Sequence, residues 1–178
     1  MPKTLRALAV ALPVLLTSAL LTPTASAGVL DVTCTPPSSD VATYNPPLTA
    51  TNQATRVTAS TQYGPCVSAS LPGLTSGSRS FQGNAVTSCL NLLGSRAGTL
   101  VITWNTGQSS TINGNAITTI AGATFNQVFT GTVTSGLFSG DTVAQTLTAP
   151  ATDITLCTLG LGTVSSVYST VSLEITSL

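Results

Sequence analysis

The 178-residue sequence contains no histidine and very little charge. It has five Lys and Arg residues and five Asp and Glu residues, so charged residues make up 6% of the chain. Without a basic face, the chain is not expected to bind nucleic acid. Without histidine, it has no histidine-based catalytic triad, general base or metal site.

Other catalytic groupings are scarce as well. The only lysine is Lys3, so a serine or cysteine nucleophile in the rest of the chain lacks both of its usual bases. We consider Asp141 and Asp153 as the candidate pair of carboxylates, and both occur where aspartate commonly caps its own backbone. The sequence therefore predicts that the protein is not an enzyme and has no catalytic residue, cofactor or metal site.

Threonine and serine are abundant, with 33 and 21 residues. Valine, isoleucine and threonine favour strands, and Gly, Asn, Pro and Ser interrupt them about every ten residues. This pattern predicts an all-β fold, either an immunoglobulin-like antiparallel β-sandwich or a partly closed barrel. We predict one domain over residues 28–178, and a boundary near residues 95–98 stays open.

Two stretches show the strand pattern most clearly. Residues 167–175 alternate with period two, which predicts a half-buried strand with Tyr168 on its polar face. Residues 99–104 return through residues 109–112 as a hairpin, because Asn105 and Gly107 tolerate the backbone angles of a tight turn. No window has helical periodicity, although residues 88–96 have room for one helical turn.

Residues 35–48 hold four prolines in fourteen positions. Proline favours extended backbone and cannot donate an amide hydrogen bond. The composition predicts a long loop between the first and second strands. An alternative interpretation is an exposed docking element of the kind that a secreted protease inhibitor presents.

The N-terminus predicts export from the cell. Lys3 and Arg6 precede an apolar run over residues 7–21, and Ala25-Ser26-Ala27 supplies the small residues that signal peptidase recognises. The run is too short to span a membrane, and no second apolar run follows. We predict a signal peptide over residues 1–27, no membrane span and a secreted, extracellular protein.

Four cysteines follow the predicted signal peptide. An even number in a secreted chain indicates two disulfides, and four cysteines allow three pairings. We favour Cys34–Cys66 with Cys89–Cys157, which ties the leading strand to the next one and the middle of the chain to its last quarter. The spacings contain no C-x-x-C pair of the kind that zinc sites use.

The candidate binding surface consists of three aromatic residues, Tyr44, Trp104 and Tyr168. Trp104 lies at a hairpin end. Its sequence position is equally compatible with an aromatic residue at the rim of a binding surface and with a residue of the core. Tyr168 is expected to point outward among threonines and serines, where a sugar or a partner protein can contact it. Uncharged strand edges also permit self-association.

The sequence resembles a group of small uncharacterised secreted β-sandwich proteins of Streptomyces-type actinobacteria. The likeness covers nearly all of residues 28–178 and rests on hairpin and turn motifs. These are Val32-Thr-Cys34, Tyr44-Asn-Pro-Pro-Leu-Thr49, Cys66-Val-Ser68, Ile102-Thr-Trp-Asn-Thr-Gly107 and Gly131-Thr-Val-Thr-Ser-Gly-Leu-Phe-Ser-Gly-Asp-Thr142. It implies kinship and fold but no activity. In composition the chain is also similar to the apoproteins of antibiotic chromoproteins, which hold an apolar molecule in a cleft.

These observations predict a secreted, non-catalytic protein that binds an unknown extracellular ligand or cell-surface component or has a structural role in the cell envelope. Two alternatives are a carrier for a small apolar ligand in a cleft between the sheets and a protease inhibitor acting through residues 35–48. A carrier requires an apolar cleft, and an inhibitor requires a protruding loop.

Overall fold

The computed structural model describes residues 30–177, which are mainly antiparallel strands. The predicted signal peptide lies outside this part of the chain. The strands described are β1 (Leu30–Cys34), β2 (Ser39–Leu48), β3 (Gln53–Tyr63), β4 (Cys66–Ser68), β5 (Gly77–Thr87), β6 (Gly94–Trp104), β7 (Ser109–Ala121), β8 (Thr124–Gly136), β9 (Thr142–Pro150) and β10 (Val164–Thr176). A 3-10 turn covers Leu90–Leu92, and the helix α1 covers Thr152–Thr158.

Eight of these strands close into a barrel. Their order is β2-β3-β5-β6-β7-β8-β9-β10, and β10 pairs with β2 to complete the ring. The all-β prediction is therefore confirmed. Of the two architectures that the sequence left open, the pairings form the barrel, because all ten described strands belong to one sheet rather than to two facing sheets.

The remaining strands, β1 and β4, extend one end of the barrel. β1 pairs with β10 and with β4, and Cys34 lies directly opposite Cys66 in the β1–β4 pair. The two cysteines form a disulfide with a Cα–Cα distance of 4.0 Å. The second disulfide joins Cys89 to Cys157, so both favoured pairings are confirmed.

Residues 35–48 are not the long loop that their prolines predicted. A turn covers residues 35–38, and residues 39–45 of β2 then pair with β3. The prolines at 36–37 fall in the turn, and those at 46–47 lie outside the paired registers of β2 with β3 and β10. Because no proline stands where an amide must donate, the strand forms despite its composition.

The helical content was predicted only in part. The 3-10 turn lies within residues 88–96, as expected, but α1 was not predicted. Its seven residues are too few to show a helical period, and the helix buries Ile154 and Cys157 against the barrel. No helix within residues 30–177 is long and apolar enough to cross a membrane.

Two apolar clusters pack inside the barrel. The first includes Trp104, Phe129 and the inward residues of β10, and the second gathers Leu48, Phe125 and residues of α1 around the Cys89–Cys157 disulfide. The alternation predicted for β10 is confirmed, because Val171, Leu173 and Ile175 are buried while Tyr168 is exposed. Several residues of the first cluster also line an internal space.

Candidate functional site

The barrel wall is open between β5 and β6. These strands pair at two described positions, Gly77 with Trp104 and Ser78 with Thr103, and then diverge. Beyond that point β5 pairs with β3 and β6 pairs with β7, so their facing edges have no strand between them. We call this opening the β5–β6 slot.

The slot leads to a cavity of about 340 Å³ inside the barrel, which we call the lumen. Seven of the eight barrel strands contribute to its walls, β10 being the exception. Apolar side chains form more than half of the lining, and they are Ala42, Val57, Ala59, Phe81, Ala97, Leu100, Ala116, Phe129 and Leu147. Phe81 is 49% exposed. A volume of this size lies at the lower end of the range for small-molecule sites.

A polar row crosses three neighbouring strands on one wall of the lumen. Asp40 of β2 stands opposite Thr61 of β3, which stands opposite Arg79 of β5. The Thr61 hydroxyl donates to Asp40 Oδ1 at 2.5 Å, and Arg79 Nη1 donates to Thr61 Oγ1 at 3.5 Å. The side chains of this row therefore hold one another in position at the lumen wall.

Asp40 is the one carboxylate among the lumen-lining residues, and it is 5% exposed. Burial raises the pKa of Asp40, and the hydrogen bond from Thr61 and the positive charge of Arg79 offset part of that rise. Removal from water disfavours the charged carboxylate, whereas a donor and a cation favour it. Asp40 is thus a carboxyl group that protonates more readily than an exposed aspartate.

The side-chain amides of Gln127 and Gln145 add neutral hydrogen-bonding groups to the lumen lining. The Tyr63 hydroxyl donates to Gln145 Oε1 at 2.6 Å, and both residues are buried. Burial raises the pKa of Tyr63, so its hydroxyl stays protonated and remains a donor. Gln127 Nε2 donates to Thr118 Oγ1 at 3.1 Å. These bonds fix the positions of the two lining glutamines.

A second cationic side chain lines the lumen from the other edge of the slot. Arg96 lies on β6, is exposed and is the strongest charge acting on Tyr44, which lies across the lumen on β2. Burial raises the pKa of Tyr44, and Arg96 lowers it in part. The lumen therefore combines a largely apolar lining with a guanidinium at the edge of the slot and a phenol hydroxyl across from it.

No family model, curated protein or solved structure matches this chain. Among residues 30–177, no group of three or more His, Cys, Asp or Glu residues could hold a metal ion.

The three aromatic residues predicted as a binding surface lie in three different places. Tyr44 is half-buried and lines the lumen. Trp104 is 2% exposed in the core, where its Nε1 donates to Ser110 Oγ at 2.9 Å, so it is a core residue rather than a rim aromatic. Tyr168 is 61% exposed on β10, as its alternation predicted, and does not line the lumen.

The polar residues of the lumen, Asp40, Arg79, Arg96, Gln127 and Gln145, could not be predicted from the sequence. Its composition predicts that Asp40 lies in a proline-rich loop. One signal was present for Arg79, because Gly77, Arg79 and Phe81 fall on one face of a period-two strand. That pattern does not say whether the face points into a closed barrel or into water.

The buried carboxyl gives a testable pH dependence. Because its pKa is raised on folding, the wild type loses stability as pH rises through the range from 3.8 to the higher folded pKa. We expect Asp40→Asn to lack this loss. Its free energy of unfolding is therefore expected to rise relative to that of the wild type between pH 3 and pH 7. Urea unfolding over that range measures it, with exposed Asp153→Asn as the matched control. A free energy of unfolding that rose in the wild type relative to Asp40→Asn as pH increased would contradict the expectation.

Proposed function

We propose that this chain is an exported, non-catalytic protein that binds a small, mainly apolar molecule in the lumen of its barrel. The observation that carries the proposal is the 340 Å³ space, lined by apolar side chains and reached through the β5–β6 slot. Eight-stranded barrels have an interior just wide enough to hold one small ligand. The carrier hypothesis therefore applies to the inside of one barrel rather than to a cleft between two sheets.

Two further features support an extracellular binding role. Two disulfides are typical of oxidising compartments, and they agree with the export signal predicted at residues 1–27. We also propose that the chain is related to the small secreted actinobacterial proteins that its sequence resembles. The inhibitor alternative has lost the loop on which it depended, because residues 39–48 form a barrel strand.

Filling the lumen provides the test. Ala59 lines the cavity beside Phe81, its partner on the adjacent strand β5, whereas Ala144 is exposed on β9. We expect Ala59→Phe to weaken binding of the neutral fluorescent probe N-phenyl-1-naphthylamine at least roughly tenfold, because the new ring occupies the ligand space. Ala144→Phe makes the same chemical change outside the barrel and is expected to leave binding unchanged.

Fluorescence titration measures both variants, and circular dichroism shows that each is folded. Wild-type protein that does not bind the probe, or equal binding by both folded variants, would refute a binding site in the lumen. Native mass spectrometry of protein purified from culture supernatant adds an independent readout. A small molecule that leaves the protein on denaturation supports the proposal.

A further inference from the structure

The cationic side chains of the described residues are concentrated at the lumen. Residues 30–177 contain three arginines, at 56, 79 and 96, and no lysine or histidine. Two of the three, Arg79 and Arg96, line the lumen, whereas Arg56 lies exposed on β3. Two of the three cationic side chains of residues 30–177 therefore lie at one cavity.

The two lining arginines have different surroundings. Arg79 stands in the polar row with Thr61 and Asp40, and the negative charge of Asp40 acts on it across that row. Its charge is thus balanced within the protein. Since Asp40 is the one carboxylate in the lining, no acidic side chain of the lumen remains to balance Arg96.

Arg96 is also placed to meet a ligand. Residues 94–99 of β6 are exposed along the slot, and Arg96 is in this stretch. Across the lumen, the hydroxyl of Tyr44 lies within the electrostatic reach of the guanidinium. A planar guanidinium binds a carboxylate through two parallel hydrogen bonds, and a phenol hydroxyl can donate to the same group.

We propose that the lumen selects small amphipathic carboxylic acids, whose carboxylate binds Arg96 and Tyr44 at the slot while the apolar body lies against Phe81 and Phe129. This inference rests on the proposed function and names the ligand class of that site. The formal charges of Asp40, Arg79 and Arg96 leave one positive charge in the lining. A monoanion neutralises that charge, whereas a phosphate dianion leaves an excess of negative charge.

The test compares two ligands of the same chain length, decanoate and decan-1-ol, as competitors of N-phenyl-1-naphthylamine. We expect decanoate to displace the probe from the wild type at roughly tenfold lower concentration than decan-1-ol, since hydrogen bonds to charged groups are the stronger ones. Arg96→Gln is expected to remove that preference and to leave decan-1-ol binding unchanged. Tyr44→Phe is expected to reduce the preference in part.

Arg56→Gln is the matched control, because it removes the same charge from a residue outside the lumen. Equal displacement by the two competitors in the wild type would overturn the acid preference while leaving the binding function intact. A preference that survives in Arg96→Gln, or that is lost equally in Arg56→Gln, would also overturn it. If neither competitor nor the probe binds, the proposed function itself fails.

Discussion

Replacing both Cys89 and Cys157 by alanine is expected to lower the free energy of unfolding by about 4.4 kcal/mol. This disulfide spans 68 residues of sequence, and the chain-entropy relation gives that figure for a closed loop of this length. In a domain of this size the loss corresponds to a melting temperature lower by roughly 10–15 °C. Calorimetry or urea unfolding of the double variant measures it.

The position of this bond adds to the expected loss. Both cysteines are fully buried in the second apolar cluster, where they join the 3-10 turn to α1. The matched control is the double alanine variant of Cys34 and Cys66. That disulfide spans 32 residues, and its removal is expected to lower the free energy of unfolding by about 3.7 kcal/mol. A smaller loss for the long loop than for the short one would contradict the loop-closure argument.

Gly114→Ala is expected to destabilise the barrel by about 2–4 kcal/mol. Gly114 of β7 lies directly opposite Gly131 of β8, and the two backbones approach closely. A Cβ on Gly114 would overlap the carbonyl oxygen of Thr130 and would lie 2.8 Å from Cζ of Phe129. Because the first obstacle is backbone, the strands themselves must move.

The neighbouring Gly98 provides the control. It pairs with Gly114 across β6 and β7, yet a Cβ there meets nothing within 4 Å. Gly98→Ala is expected to be neutral or to stabilise by up to about 1 kcal/mol, since alanine restricts the unfolded chain more than glycine does. Urea unfolding separates the two variants, and equal stability would show that the close approach does not limit the fold.

The glycine prediction also bears on the lumen. Phe129 lines the cavity and covers Gly114 from the inside. A side chain at Gly114 therefore pushes the ring toward the ligand space. We expect Gly114→Ala to bind N-phenyl-1-naphthylamine more weakly than the wild type under conditions where both are folded.

Local patterns explain why much of the fold was predictable. Strand alternation depends on neighbouring residues, so the inward face of β10 could be identified without a partner strand. The hairpin of β6 and β7 follows from its turn residues, and Gly107 has the positive φ of 82° that glycine tolerates best. Disulfide pairing required one further assumption, that each bond links parts of the chain which the strand order brings together.

The candidate site was much less predictable. Asp40 and Arg79 belong to segments 39 residues apart, and their approach depends on the registers of β2, β3 and β5. Arg96 reaches the same cavity from β6 because the slot keeps that edge open. Such registers are set by packing across the whole sheet, and they cannot be inferred from a local sequence pattern.

The sequence by itself therefore determined the all-β composition and the positions of several strands and turns, and it favoured the cysteine pairing that forms. The tertiary structure decided that the strands close into one barrel, that residues 39–48 are a strand, and that Trp104 lies in the core. It also decided that two arginines and one aspartate surround an apolar space. The reason is physical: alternation reports which residues share a face, whereas the curvature and closure of the whole sheet decide what that face encloses.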